Sequence, residues 1–273
     1  MHIIDFHTHI FPDKIAAKTV DMLGAEANIT PAFDGSRAGL LQSMASAGIE
    51  TALNCPIATK PEQVTSINRW AASQNCRPIF SLGTLHPDSP DVAAELDAIR
   101  NLGLPGIKLH PEYQLFHPCE ERMQPIWEGC CDRNLFVLMH CGEDIGFEPP
   151  YHSSPEEIAE LLDAFPKLEL VAAHMGSWMR WDAVETHLCG RANLYLETSF
   201  TLDYTSEKQF LRMIRAHGAD RVVFGSDAPW RVPAEALGLV TRTALDDHEK
   251  QLILRDNARA LLARHGIDTT CAR

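Results

Sequence analysis

His7 and His9 flank Thr8 at the end of an apolar run, Ile3-Ile4-Asp5-Phe6, and this spacing is the first chemistry legible in the chain. In an extended strand, residues i and i+2 share a face, so the two imidazoles project together while Thr8 points away. Their Cα atoms sit roughly 7 Å apart, which lets both rings reach one ion with metal–nitrogen bonds of about 2.0–2.1 Å. A lone His-x-His pair is a weak signal, so further ligands must come from elsewhere. Five other residues with metal or proton chemistry stand in or just after short apolar runs: Lys108 and His110, His140, His174 and Asp227. Any one of these would ordinarily be read as a hydrogen-bonded residue near a strand end. His7 and His9, His140, His174 and Asp227 share a position at the C-terminal ends of their runs, which gives them weight as a set.

The elements that must position them follow from the pattern of apolar residues. Strands are expected at residues 3–9, 49–55, 78–85, 106–110, 135–140, 168–174, 193–198 and 221–225. Between them lie helical patterns: 36–47 stopped by Gly48, 61–75, and a segment reaching Leu102 with Ser89 as N-cap and Pro90 in its first turn. Others are expected at 123–133, at 154–165 opened by a Ser154/Glu157 capping box, and at 182–188. Ser206 with Gln209 opens the next, and two closing helices cover 233–242 and 246–265. Strand starts recur about every 30 residues, which suits β-α units. The expected fold is a (β/α)8 TIM barrel formed as one domain over 1–273, with residues 10–34 a lid insertion after the first strand. No Pro/Gly/Ser-rich linker and no break in charge argues for a second domain.

Composition narrows the partners. The chain has 273 residues, 45% of them hydrophobic, enough for a sizeable core. A net charge of −13 without a basic run argues against nucleic acid and against anionic membrane surfaces. Eight scattered cysteines form no Cys-x-x-Cys pair and no regular framework, which fits a reducing compartment. Asp5 and His7 interrupt any signal-peptide core, and no apolar run approaches about 20 residues. A cytoplasmic protein acting on a small molecule is expected, with the oligomeric state, a homo-oligomer included, left open.

In sequence the chain resembles the amidohydrolase superfamily, in its amidohydrolase-2 branch of metal-dependent barrel hydrolases. The resemblance rests on Ile-Asp-Phe-His-Thr-His at 4–9, Gly-Ile-Lys-Leu-His-Pro at 106–111, His140, and Ala-His-Met-Gly at 173–176. Gly-Ser-Asp-Ala-Pro-Trp at 225–230 and Asp-Asn-Ala-Arg-Ala-Leu-Leu at 256–262 complete it, so that nearly the whole chain is covered. It implies that His7, His9, His140 and Asp227 hold a divalent metal, with His174 beside the attacking water. Three imidazoles and a carboxylate suit Zn2+ with room for one further ligand. Such an ion lowers the pKa of water from 15.7 to around 7 and polarises a carbonyl. His174 has the titration range to move a proton, and Asp227 can accept one, as in related hydrolases.

In binuclear relatives a lysine at the place of Lys108 is carbamylated and bridges two metals, with His174 on the second. One ion is the expectation here, which leaves Lys108 and His110 as contacts for substrate. Arg180 and Arg231 are candidates to pair with a substrate carboxylate, and Glu197 to orient a histidine ligand. Two reactions suit the branch. The leading one is hydrolysis of an amide, lactone or ester; the alternative is non-oxidative decarboxylation, or hydration, of a small unsaturated acid. A third reading is a purely structural zinc in a binding protein.

Overall fold

The computed structural model describes residues 2–269. Eight parallel staves form the barrel: β1 Ile4–Thr8, β2 Thr51–Asn54, β3 Ile79–Ser81 carried on by Gly83–Thr84, and β4 Gly106–Leu109. β5 Phe136–Met139, β6 Leu170–Ala172, β7 Leu194–Glu197 and β8 Val222–Val223 complete it. Each neighbouring pair is parallel. Leu82 N donates to Asn54 O at 2.9 Å, so β3 stays attached to β2 where its ladder is interrupted. The ring closes where Phe6 N donates to Phe224 O and Asp227 N to His7 O, both at 2.8 Å, with Thr8 bridging Ala228. The expected (β/α)8 barrel is the fold.

Alternation along the strands sorts the side chains. Ile107 and Leu109 of β4, and Val137 and Met139 of β5, join Leu96, Ile126 and Ile158 of the surrounding helices in the main core. Lys108 and His110 take the other face. β1 departs from simple alternation. Its register with β2 runs Ile4↔Thr51 and Asp5↔Ala52 but then Thr8↔Asn54, a slip of one residue. Because of that bulge, consecutive residues both look inward. Phe6 meets Phe136 of the opposite stave at 5.7 Å between ring centroids, and His7 meets Lys108 and Glu197. Bulges beside active sites commonly re-aim one side chain in this way.

The helices fall where the apolar spacing puts them, with three local differences. Asp91, not Ser89, caps the helix Val92–Asn101, because its carboxylate is the oxygen that reaches Ala94 N (3.0 Å). Ser206 caps Glu207–His217, but Gln209 does not close the box, since its side chain goes to Thr205, Asp182 and Glu185. The closing helix runs from Asp247 to Arg264 through a π-turn at Leu252–Asp256. Ser154 and Glu157 form their box in full. Residues 10–34 contain a three-turn helix, Ala16–Ala27. Seven cysteines are free, and Cys271 lies outside the described residues. Among the described residues no helix is long and apolar enough to cross a membrane.

Candidate metal centre at the mouth of the barrel

His7 and His9 reach the C-terminal mouth on β1, and Asp227 arrives from the turn after β8. That turn is pinned from below: the buried Asp5 carboxylate accepts from Ser226 N (2.9 Å) and Ser226 Oγ (2.5 Å). Asp227 sits at φ 62°, a strained conformation for a residue with a side chain and one concentrated at functional sites. Gly225 is needed for the approach, because a Cβ there would run into the Glu197 carboxylate and His7 Cβ.

The three donor atoms converge. His7 Nε2 and His9 Nε2 are 3.2 Å apart, and Asp227 Oδ1 lies 3.5 Å from the first and 3.0 Å from the second. Ligands held at about 2.1 Å with angles of 90–110° are separated by about 3.0–3.4 Å, so the spread matches a shared cation. Asp227 Oδ1 is buried and accepts no hydrogen bond, since His9 Nε2 does not align with it as a donor. Burial alone would raise the Asp227 carboxyl, yet His7 and His9 hold it below the usual carboxylate range. Burial pushes His7 well below its ordinary value, against the pull of Asp227. A neutral imidazole is what a metal needs.

Glu197 is buried against His7. Its Oε2 lies 2.9 Å from His7 Nδ1 and accepts that proton, leaving Nε2 to face the cluster. Ser199, two residues on and on the same face, donates its Oγ to Glu197 Oε2 (2.7 Å) and touches His174 Nδ1 (3.0 Å). Ser199 was not singled out from sequence, although an i, i+2 relation to a strand-end glutamate is a usable signal.

His140 is not in the three-donor cluster. Its group is His110, His140 and Asp144, and this separates it from the set implied by the resemblance. The reason is local. His140 Nε2 faces Glu143 O at 3.1 Å, and its ring stacks on His110 with centroids 4.1 Å apart. A carbonyl only accepts, so Nε2 carries the proton and Nδ1 a lone pair. His174 is its mirror, with Nδ1 facing Ser199 O at 3.2 Å and Nε2 bearing the lone pair. These two acceptor nitrogens point at one another across 3.0 Å. Burial lowers both, His140 to about 3 and His174 to about 4, so neither readily supplies the proton that would join them. A cation or a transferred proton satisfies the pair. His174 and Met175 both hold left-handed backbone, φ 58° and 52°.

Lys108 Nζ lies 3.3 Å from His7 Nε2, fully buried and with its pKa lowered by that burial. His110 Nε2 pairs with Asp144 Oδ2 (3.2 Å), while its Nδ1 is buried without a partner. Arg180 and Arg231 are not brought to the cavity. Arg180 turns to Glu156 at 3.9 Å, and Arg231 to Asp203 at 2.8 Å and Glu235 at 3.3 Å, so their charge is spent among loop carboxylates. Above the cluster opens a cavity of about 630 Å3, roofed by residues of the Ala16–Ala27 helix.

A closed parallel barrel carries histidines and an aspartate at its C-terminal mouth, under a cavity of small-molecule size, as a candidate metal site. The amidohydrolase family profile matches residues 4–264, and the chain belongs to that family. No curated protein matches it. Among solved structures it is similar to an uncharacterised TIM-barrel protein from Bordetella bronchiseptica, at 22% identity and TM-score 0.82, covering 98% of this chain and 100% of that one. It is also similar to 5-carboxyvanillate decarboxylase from Novosphingobium aromaticivorans complexed with manganese and a nitrobenzoic acid (16%, TM-score 0.70, 96% of each chain). A third is described as a candidate 2-pyrone-4,6-dicarboxylic acid hydrolase from Pseudomonas putida (18%, TM-score 0.68, 98% and 99%). At such identities the likeness speaks for the fold.

Proposed function

We propose that this protein is a metal-dependent hydrolase that cleaves an amide, lactone or ester bond of a small molecule. The observation that carries the proposal is the convergence of His7 Nε2, His9 Nε2 and Asp227 Oδ1 at 3.0–3.5 Å around one point of the barrel mouth. These three would hold a single divalent ion, Zn2+ suiting the donor set best, with His140 next to it. Such an ion supplies an activated water and a Lewis acid for the carbonyl. Glu197 keeps His7 in the ligating tautomer. His174, with Nδ1–H fixed on Ser199 O, offers Nε2 as the acid-base group. The Asp227 carboxylate, through the oxygen not turned on the three-donor cluster, would be a second proton acceptor at the same place. Lys108 is at hand for a substrate oxygen, and His110 for a substrate contact from β4. Residues 10–34 act as the lid of a cytoplasmic single-domain enzyme.

Loss of carbon dioxide from a small unsaturated acid is the second reading. It is favoured by the apolar walls of the cavity, since a poorly solvated carboxylate is closer to its charge-dispersed transition state. The test is a product assay on the metal-loaded protein in 18O water, with a panel of amides, lactones, esters and unsaturated acids. Hydrolysis predicts label in the product acid and no carbon dioxide; carbon dioxide without a hydrolytic product would overturn it.

A further inference from the structure

The walls of the cavity, as distinct from its floor, carry information about what enters it. The floor is polar and metal-competent. Above it the lining is dominated by large apolar side chains, Phe11, Ile57, Trp70, Trp178, Phe200 and Trp230 among them. The roof helix adds Ile15, just before it, and Met22. Both line the cavity, and at 49% and 50% exposure each leaves about half of its surface uncovered by the protein. Helix residues of this kind normally face a core; here they face the space above the metal cluster.

Charge in the lining is equally one-sided. Among the described residues Lys108 is the only lysine or arginine there, and it is buried on the floor 3.3 Å from His7 Nε2. The walls hold Glu143 and Asp144. The polar groups of the far wall are in part used internally: Gln63 Oε1 accepts from Thr59 N (2.9 Å), and Ser66 Oγ donates to Gln63 O (2.9 Å). A carboxylate carried into that region would be desolvated, would find no cation, and would meet like charge.

We infer that the substrate of this site has a bulky apolar body and no anionic group beyond the one bond or carboxyl that meets the floor, so that dicarboxylic acids are excluded. The inference rests on the metal-hydrolase reading, because that reading fixes which end of the ligand is at the floor. It also separates this cavity from one made for a dicarboxylic acid, whose second carboxylate would need a wall cation of the kind Arg180 and Arg231 fail to provide.

Three hydroxamates test it on the zinc-loaded protein by calorimetry and tryptophan fluorescence: acetohydroxamate, octanohydroxamate, and suberic acid monohydroxamate with a distal carboxylate. All share the metal-binding head. The expected result is octanohydroxamate at least about tenfold tighter than acetohydroxamate, and the carboxylate-tipped chain at least about tenfold weaker than octanohydroxamate. Ile57→Arg, which adds a wall cation, should narrow or invert the second ratio, with zinc content and circular dichroism reporting an intact fold. Equal binding of all three, or preference for the carboxylate-tipped chain in the unaltered protein, would overturn the inference and leave the metal site standing. Failure of all three to bind a zinc-loaded protein would remove both.

Discussion

Two groups of buried histidines occupy opposite ends of the barrel, and they are satisfied in different ways. At the N-terminal end, His217 accepts from Gly190 N at 3.1 Å and donates to Leu194 O at 3.0 Å. His265 there places its nitrogens 2.7 Å from Asn134 O and 2.6 Å from Glu169 Oε2. Each ring ties the chain together and has nothing left over. At the mouth, His7 and His9 turn Nε2 toward each other, His140 and His174 oppose lone pairs, and His110 Nδ1 has no partner. The histidines of both ends are buried, so burial does not mark the site. What marks it is that the mouth nitrogens face one another rather than the backbone, and that His110 Nδ1 and Asp227 Oδ1 are buried without a partner, an arrangement that costs stability and persists where a ligand completes it.

Substitutions at the two ends should act on different properties. The largest effect is expected at the mouth: His9→Ala or Asp227→Asn should lose bound metal and at least about 10³ in kcat/KM. Metal content and rate are compared per folded molecule, because His9 lies 3.0 Å from the buried Asp227 carboxylate and helps to hold it ionised, so metal-free stability changes as well. His174→Ala should keep the metal, measured by mass spectrometry, and lose about 10²–10⁴ in kcat. An active His174 variant would end its role in proton transfer. Glu197→Gln should cost about 10–100-fold in metal affinity or activity by loosening the orientation of His7.

At the opposite end the readout changes from activity to stability. His217→Ala should destabilise by about 2–3 kcal/mol, leaving Gly190 N–H and Leu194 C=O unpaired, with activity per folded molecule unchanged. Burial lowers His217 to about 4, so the folded state disfavours its protonation. The stability it contributes is therefore present above about pH 6.5 and is lost as pH falls towards 4, on the order of 3 kcal/mol in total. The difference in pH-dependent unfolding between the protein and His217→Gln measures this directly. The smallest effect is expected for Arg180→Ala: an exposed arginine 3.9 Å from Glu156 should change kcat/KM by less than about twofold.

The strands and the identity of the mouth residues were legible because period-two alternation puts one face of each strand inward, and Lys108/His110 and Glu197 obey it. The β1 bulge was not, since a one-residue slip leaves no mark in an apolar run. Nor was the separation of His140 from His7, His9 and Asp227, which depends on the Glu143 carbonyl and on stacking with His110, contacts made by a loop. Arg180 and Arg231 were misleading for the same reason: a loop arginine's direction is decided by the nearest loop carboxylates. Ser199 lies two residues beyond Glu197, so the i, i+2 relation that marks Lys108 and His110 marks it as well.

The proposed chemistry requires that His7, His9 and Asp227 share one cation. Anomalous diffraction from crystals of the zinc-loaded protein tests this most directly. The account predicts a peak about 2.0–2.2 Å from His7 Nε2, His9 Nε2 and Asp227 Oδ1 together. A peak held only by His110, His140 and Asp144, or no peak at the mouth with His7 and His9 still facing one another, would contradict it.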